Sequence, residues 1–156
     1  MTLRPKWDRG IIHADARDLS SVQPESIDIV WGMTPCYVPS IREIYTQVST
    51  VLKPGGLYHT VLTNPALFLI EWDGGGYRIG KPYFETTHTR DDGAVEFRHY
   101  MDDIFNGLAD NGLSLFRVED RGRDKKPPPD AQPGSYSHEG AWIGGGFTIF
   151  AKKERP

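Results

Sequence analysis

Hydrophobic positions fall in short blocks whose spacing switches between two residues and three to four. GIIHA, residues 10–14, is an apolar run that predicts a short buried strand, and the polar stretch ARDLSSVQPES after it leaves room for a turn or a short helix. In SIDIVWGM, residues 26–33, Ile27, Ile29 and Trp31 alternate with Asp28, Val30 and Gly32, a strand pattern. TPCYVP carries two prolines and should be irregular. From Ser40 the period lengthens, and Ile41, Ile44, Tyr45, Val48, Val51 and Leu52 share one face of a helix. Ser40 and Glu43 fit a capping box, and Lys53-Pro54-Gly55-Gly56 supplies a cation and chain-reversing residues to stop the helix. LYHTVLTN, residues 57–64, predicts the next strand, ended by Pro65.

Residues 66–98 change character. ALFLIEW, YRIGKPYFETTHT and AVEFR are extended segments joined by Asp-Gly turns, which predicts a small antiparallel meander projecting from the main sheet. Tyr100, Met101, Ile104, Phe105, Leu108 and Ala109 mark a second amphipathic helix, ended at Asn111-Gly112, with LSLFRVED as the strand after it. Residues 121–145 are polar and proline-rich and read as a long surface loop. GFTIFAKK closes the chain as a strand. This order is that of an α/β protein, and the final pair, joined without a helix, should be antiparallel.

Residues 1–156 are one domain's worth of chain, long enough for a core. The net charge of −3 leaves no basic surface to follow nucleic acid phosphates. The single cysteine, Cys36, excludes a disulfide framework and a cysteine metal site and implies a reducing compartment. His/Asp/Glu spacing suggests no metal site. With no signal-peptide core and no membrane-length apolar run, the chain reads as a soluble cytoplasmic domain.

The segments ADARDL, ESIDIVWGM, YVPSIREIYTQVSTVLKPGGLYHTVLTNP, FRHYMDDIFNGLADNGLSLFRVED and GFTIFAKK, in this order, resemble a class I S-adenosylmethionine-dependent methyltransferase of the small-molecule type. The helix, VLKPGG and apolar strand run is the most specific of them, and the resemblance covers roughly residues 10–152. It implies a Rossmann-like sheet, mostly parallel with an antiparallel C-terminal strand, and S-adenosylmethionine as cofactor. It also implies a methyl transfer to a small-molecule acceptor. The family's opening strand with its Gly-x-Gly loop, and the second strand ending in a ribose-binding acid, have no match here. Gly74–Gly76 and Gly144–Gly146 do not open a helix after a buried strand. The chain resembles the family from its third strand onward, as a truncated form of that sheet. That favours, as an alternative, a non-catalytic relic or binding module, and it argues against a nicotinamide enzyme.

In the family's sheet the first strand lies beside the fourth, so its removal would leave the strand at 26–32 with an unpaired edge. Such an edge invites another chain. A homodimer sealed through it is the expectation, with pairing by residues 10–14 or by a separate segment as the alternatives.

The resemblance also suggests where chemistry would sit, just beyond the strand ends that converge on the ligand crevice. Asp15 and Ala16 would meet the adenine, although Asp15 is equally a turn acid. Trp31, Gly32 and Met33 would lie beside the cofactor's methionine portion, with a core role as the other reading of Trp31. Tyr37, after that strand, could face the sulfonium with its ring or pack on the helix at 41–52. His99 is the best proton acceptor, or a helix-start histidine held by backbone. Tyr83, Tyr136 and Trp142 could line an acceptor pocket. Cys36 reads as a buried small side chain, not a nucleophile.

Overall fold

The computed structural model describes residues 12–33, 35–90, 92–122 and 126–155. A four-stranded sheet forms the frame, in the order β1-β2-β8-β7, from β1 (Ile27–Met33), β2 (Leu52–Thr63), β7 (Leu113–Asp120) and β8 (Gly146–Lys153). β1 and β2 are parallel, with Trp31 opposite His59 and Met33 opposite Val61. β8 runs antiparallel to both β2 and β7, as expected of the last strand. Because β8 sits between β2 and β7, three of the four strands point one way and only the C-terminal strand opposes them, as the resemblance implied.

Helices α1 (Ile41–Val51) and α2 (Met101–Asp110) cover one face. Ile41, Tyr45, Val48 and Leu52 meet Ile104 and Leu108 over Tyr58, Leu62, Leu113, Ile149 and Ala151 of the strands, and this is the core. The turn after α1 needs its glycines: Gly55 has φ +83°, and a Cβ on Gly56 would sit 2.9 Å from the Lys53 carbonyl oxygen. Lys53 and Asp28 form an ion pair across the bulge this turn makes between β1 and β2. Ser40 is the N-cap of α1 with extended backbone, but its side chain makes no capping hydrogen bond, so the box expected with Glu43 is not closed.

Three other expectations change. Residues 10 and 11 lie outside the described residues, and 12–14 form no strand and are exposed, so β1 has an open edge among the described residues. The excursion is not one meander. Pro65–Leu69 is a 3-10 turn, set by Pro65 and by the Asn64 side chain, which accepts from the Ala66 N–H at 3.0 Å. Two separate hairpins follow, β3 (Ile70–Trp72) with β4 (Tyr77–Ile79), and β5 (Thr87–Thr89) with β6 (Val95–Phe97). Their Asp-Gly turns do form, the Asp73 carboxylate accepting from the N–H groups of Gly75 and Gly76 at 3.1 Å each. The proline-rich stretch holds a helix, α3 (Tyr136–Ile143), whose start is capped by the Ser135 hydroxyl accepting from His138 N–H at 3.4 Å. None of its residues is fully buried, which is why hydrophobic spacing did not reveal it.

Among the described residues no helix is long and apolar enough to cross a membrane, and no group of three or more His, Cys, Asp or Glu could hold a metal ion.

Candidate functional site

The carboxyl ends of β1 and β2 point the same way, and the chain leaving β2 borders a cleft of about 810 Å³. Thr63 ends β2 at its floor, with Leu67 and Phe68 beside it. The hairpins contribute Glu71, Lys81, His88, Arg90 and Glu96, and α3 closes the far side with Tyr136 and Glu139. A volume of this size suits a small organic ligand.

The polar groups of the cleft are mostly spoken for. Arg90 bridges Asp92 at 3.1 Å and Glu96 at 3.3 Å, and it donates to the Tyr37 hydroxyl at 3.2 Å. Glu71 pairs with Arg78 at 3.2 Å. Lys81 Nζ donates to His88 Nδ1 at 3.1 Å. Tyr136 donates to the Gly145 carbonyl at 2.6 Å. Glu139 is different. Its carboxyl is half-buried, and that burial pushes its pKa above the ordinary carboxylate range. Glu139 lines the cleft with no side-chain hydrogen bond or ion pair among the described residues.

The loop from β1 into α1 is pinned from below. Pro35–Tyr37 form a single 3-10 turn, and His99, 8 % exposed, donates through Nε2 to the Pro35 carbonyl at 3.0 Å. Burial holds the His99 imidazole in its neutral form by lowering its pKa. His99 thus shapes the loop that carries Tyr37 and does not line the cleft. Tyr37 is half-exposed at the rim, tethered by Arg90.

Cys36 is 7 % exposed, and burial first, then the Glu96 charge, push its thiol up to about 11. Alkylation of the folded chain by iodoacetamide at pH 8 should run at least about 100-fold slower than that of an ordinary thiol, because so little thiolate is present. Equal rates, measured by mass spectrometry over time, would remove Cys36 from the packed loop.

Asp15 and Ala16 lie in an exposed turn away from the cleft lining. The Asp15 carboxylate accepts from the Arg17 N–H at 2.8 Å and pairs with its guanidinium at 2.6 Å, which holds its pKa down at about 2. The chain just after the turn is tied to α1, where Gln47 accepts from the Leu19 N–H at 2.9 Å. Trp31 is 71 % exposed on the face opposite the helices, which corrects its reading as a core aromatic. Gly32, one residue on, faces the core side against Tyr58 and Thr60. Met33 ends β1 in register with Val61. Tyr83 is on the outer surface stacked near Tyr100, and Trp142 packs with Trp72, Tyr77 and His138 where the first hairpin meets α3.

The arrangement recurs in solved structures. An S-adenosylmethionine-dependent methyltransferase from Mesorhizobium loti superposes with a TM-score of 0.67 at 20% identity over 89% of this chain and 67% of its own. The fold is that of the S-adenosylmethionine-dependent methyltransferases. A Listeria monocytogenes protein given the same assignment matches with a TM-score of 0.66 at 16% identity, over 91% of this chain and 68% of its own. Geranyl diphosphate C-methyltransferase from Streptomyces coelicolor, solved with Mg²⁺, geranyl diphosphate and S-adenosyl-L-homocysteine, matches with a TM-score of 0.59 at 17% identity, over 90% and 52%. The chain thus spans about two thirds of the first two methyltransferases and half of the third. No family sequence model and no curated protein matches it.

Against this methyltransferase frame the cofactor's contacts can be tested. Gly74–Gly76 turn a hairpin in open space, and Gly146 packs against the Leu62 carbonyl inside the sheet, so neither glycine run presents N–H groups at a helix start. Asp15 is held by Arg17. Among the described residues, the end of β1 and Tyr37 would form one wall of a cofactor site, and no second wall is built. The described residues do not make a complete site for S-adenosylmethionine.

Proposed function

We propose that the chain serves methyl transfer from S-adenosylmethionine to a small-molecule acceptor held in the cleft beyond β1 and β2. The observation that carries this reading is the cleft itself, at the carboxyl end of β2 and joined through Arg90 to Tyr37 after the parallel β1, on a methyltransferase fold, where open α/β sheets take their ligands. On this reading the cofactor would lie along Trp31–Met33 with Tyr37 near its sulfonium, and it would bring the activated methyl group. The chain's own part is to seat the acceptor. Glu139 takes a hydrogen bond or a proton from it, Lys81 and His88 flank it, and the hairpins and α3 keep water out.

A second reading, a non-catalytic relic that retains the fold, is favoured by the single-walled cofactor site and the ion-paired Asp15. Titration calorimetry with S-adenosyl-L-homocysteine separates the two. With one wall in place, binding should be weak, with a dissociation constant on the order of 1 mM, or about 4 kcal/mol, and Tyr37→Ala should weaken it further. No heat at several millimolar ligand with the fold intact would support the relic reading.

A further inference from the structure

The charges around the cleft beyond β2 do not all cancel. Arg90 is shared by Asp92 and Glu96, and Glu71 is held by Arg78. Two groups are left over among the described residues. Glu139 is a half-buried carboxyl with no donor, and Lys81 is a half-buried cation with no carboxylate. Lys81 is fixed through its backbone, since the N–H groups of Gly80 and Lys81 both donate to the Leu69 carbonyl, at 2.8 and 3.3 Å. Its ammonium donates to His88 Nδ1 at 3.1 Å, which puts the imidazole proton on Nε2. Two ammonium hydrogens and that Nε2–H therefore have no acceptor among the described residues. His88 in turn meets the Phe68 ring edge to face at 6.3 Å, and Phe68, Leu67 and Ile70 form the apolar part of the lining.

We propose that this cleft takes an aromatic hydroxy acid as its methyl acceptor, the carboxylate on Lys81 and His88, the ring against Phe68 and the hydroxyl donating to Glu139. The acid's role as acceptor rests on the methyl-transfer reading; its binding does not. A carboxylate accepts two hydrogen bonds side by side, and an ammonium next to an imidazole N–H supplies two such donors. One negative charge is also the limit. Glu71, Asp92, Glu96 and Glu139 outnumber Lys81 and Arg90 along the lining, so a diphosphate, as in the ligand of the Streptomyces coelicolor enzyme, would meet net repulsion. A cationic ligand would be opposed by Lys81. A flat ring suits the edge-to-face pair of Phe68 and His88. At the other side, the half-buried Glu139 carboxyl lacks a hydrogen-bond donor, and a ligand O–H provides it.

The probe is para-hydroxyphenylpropionate, titrated into the full chain without cofactor and followed by the amide signals in NMR spectra. Its methyl ester lacks the charge, phenylpropionate lacks the hydroxyl, and tyramine reverses the charge. The acid should bind about tenfold more tightly than the ester, the size of one charge-assisted hydrogen bond, and tyramine more weakly than either. Removing the hydroxyl should weaken binding about fivefold. In Lys81→Met acid and ester should bind alike, and in Glu139→Leu the hydroxyl should make no difference. Equal binding of acid and ester by the unaltered chain overturns the proposal, and so does no binding of the acid at about 20 mM. An acid preference that survives Lys81→Met, a hydroxyl preference that survives Glu139→Leu, or tyramine binding best overturns it as well. The ester comparison needs no variant, so it decides the matter even where Lys81→Met fails to fold. Calorimetry with S-adenosyl-L-homocysteine is independent of all this. A selectively bound acid without cofactor binding would sink the methyl-transfer reading alone, and cofactor binding without acid selectivity would sink the hydroxy-acid site alone.

Discussion

Arg98→Ala should lower stability by about 3 kcal/mol and free the second hairpin from the body of the protein. Arg98 is 3% exposed and has no carboxylate partner among the described residues. Its guanidinium lies 4.6 Å from the Tyr83 ring and 4.7 Å from the Tyr100 ring, held between two π faces. It also donates to the Glu85 carbonyl at 3.3 Å and to the Tyr83 carbonyl. These contacts tie the chain before β5 to the start of α2, so the cleft residues His88, Arg90 and Glu96 hang from them. Each stacked face contributes on the order of 1 kcal/mol, and each carbonyl stranded without its donor costs a further 1–3 kcal/mol at most. Lysine should rescue little, because a point charge cannot reach both carbonyls while lying flat between the rings. Methionine should restore part of the packing and none of the hydrogen bonds. Urea denaturation measures the loss, and amide exchange at Thr87–Phe97 locates it. A loss below about 1 kcal/mol with unchanged exchange would mean that the hairpin is held elsewhere.

The elements that could be read from sequence are those with a local cause. Helix α1 announces itself because Ile41, Tyr45, Val48 and Leu52 must face one core, and Lys53–Gly56 can only turn. The last two strands alternate around Ile149 and Ala151, and their antiparallel pairing follows from a connection with no crossover. What escaped has a distant cause. Helix α3 owes its place to Ser135 at its start and to packing on the hairpin, and has no apolar stripe to betray it. Trp31 looked like core because alternation tells which residues share a face, not whether anything covers that face. The cleft lies between these cases. Tyr37 was visible as a loop residue after a parallel strand. Lys81, His88 and Glu139 were not, because sequence spacing carries no trace of the folding-over of two hairpins onto a helix some fifty residues later. His99 was read as a proton acceptor or as a helix-start histidine held by backbone, and its contact with the Pro35 carbonyl 64 residues away is of the second kind.

Two neighbouring residues of β8 should respond oppositely to where they face. Ile149 is fully buried between Thr60 and Val118 in the ladder, under α1 and α2. Ile149→Ala removes three carbons from a close-packed site and should cost about 3–4 kcal/mol, a large share of the roughly 5–15 kcal/mol that holds a domain together. Phe150, one residue on, points to the opposite face, where its ring meets those of His59 and Phe116 and is partly exposed. Although phenylalanine is the larger side chain, Phe150→Ala should cost about 2 kcal/mol, less than Ile149→Ala, because its ring is only partly buried. Urea midpoints of the two variants give the ratio directly, and equal losses would mean the second face is covered as closely as the first. The energetic price of a cavity appears in full only where close packing surrounds the side chain that is removed.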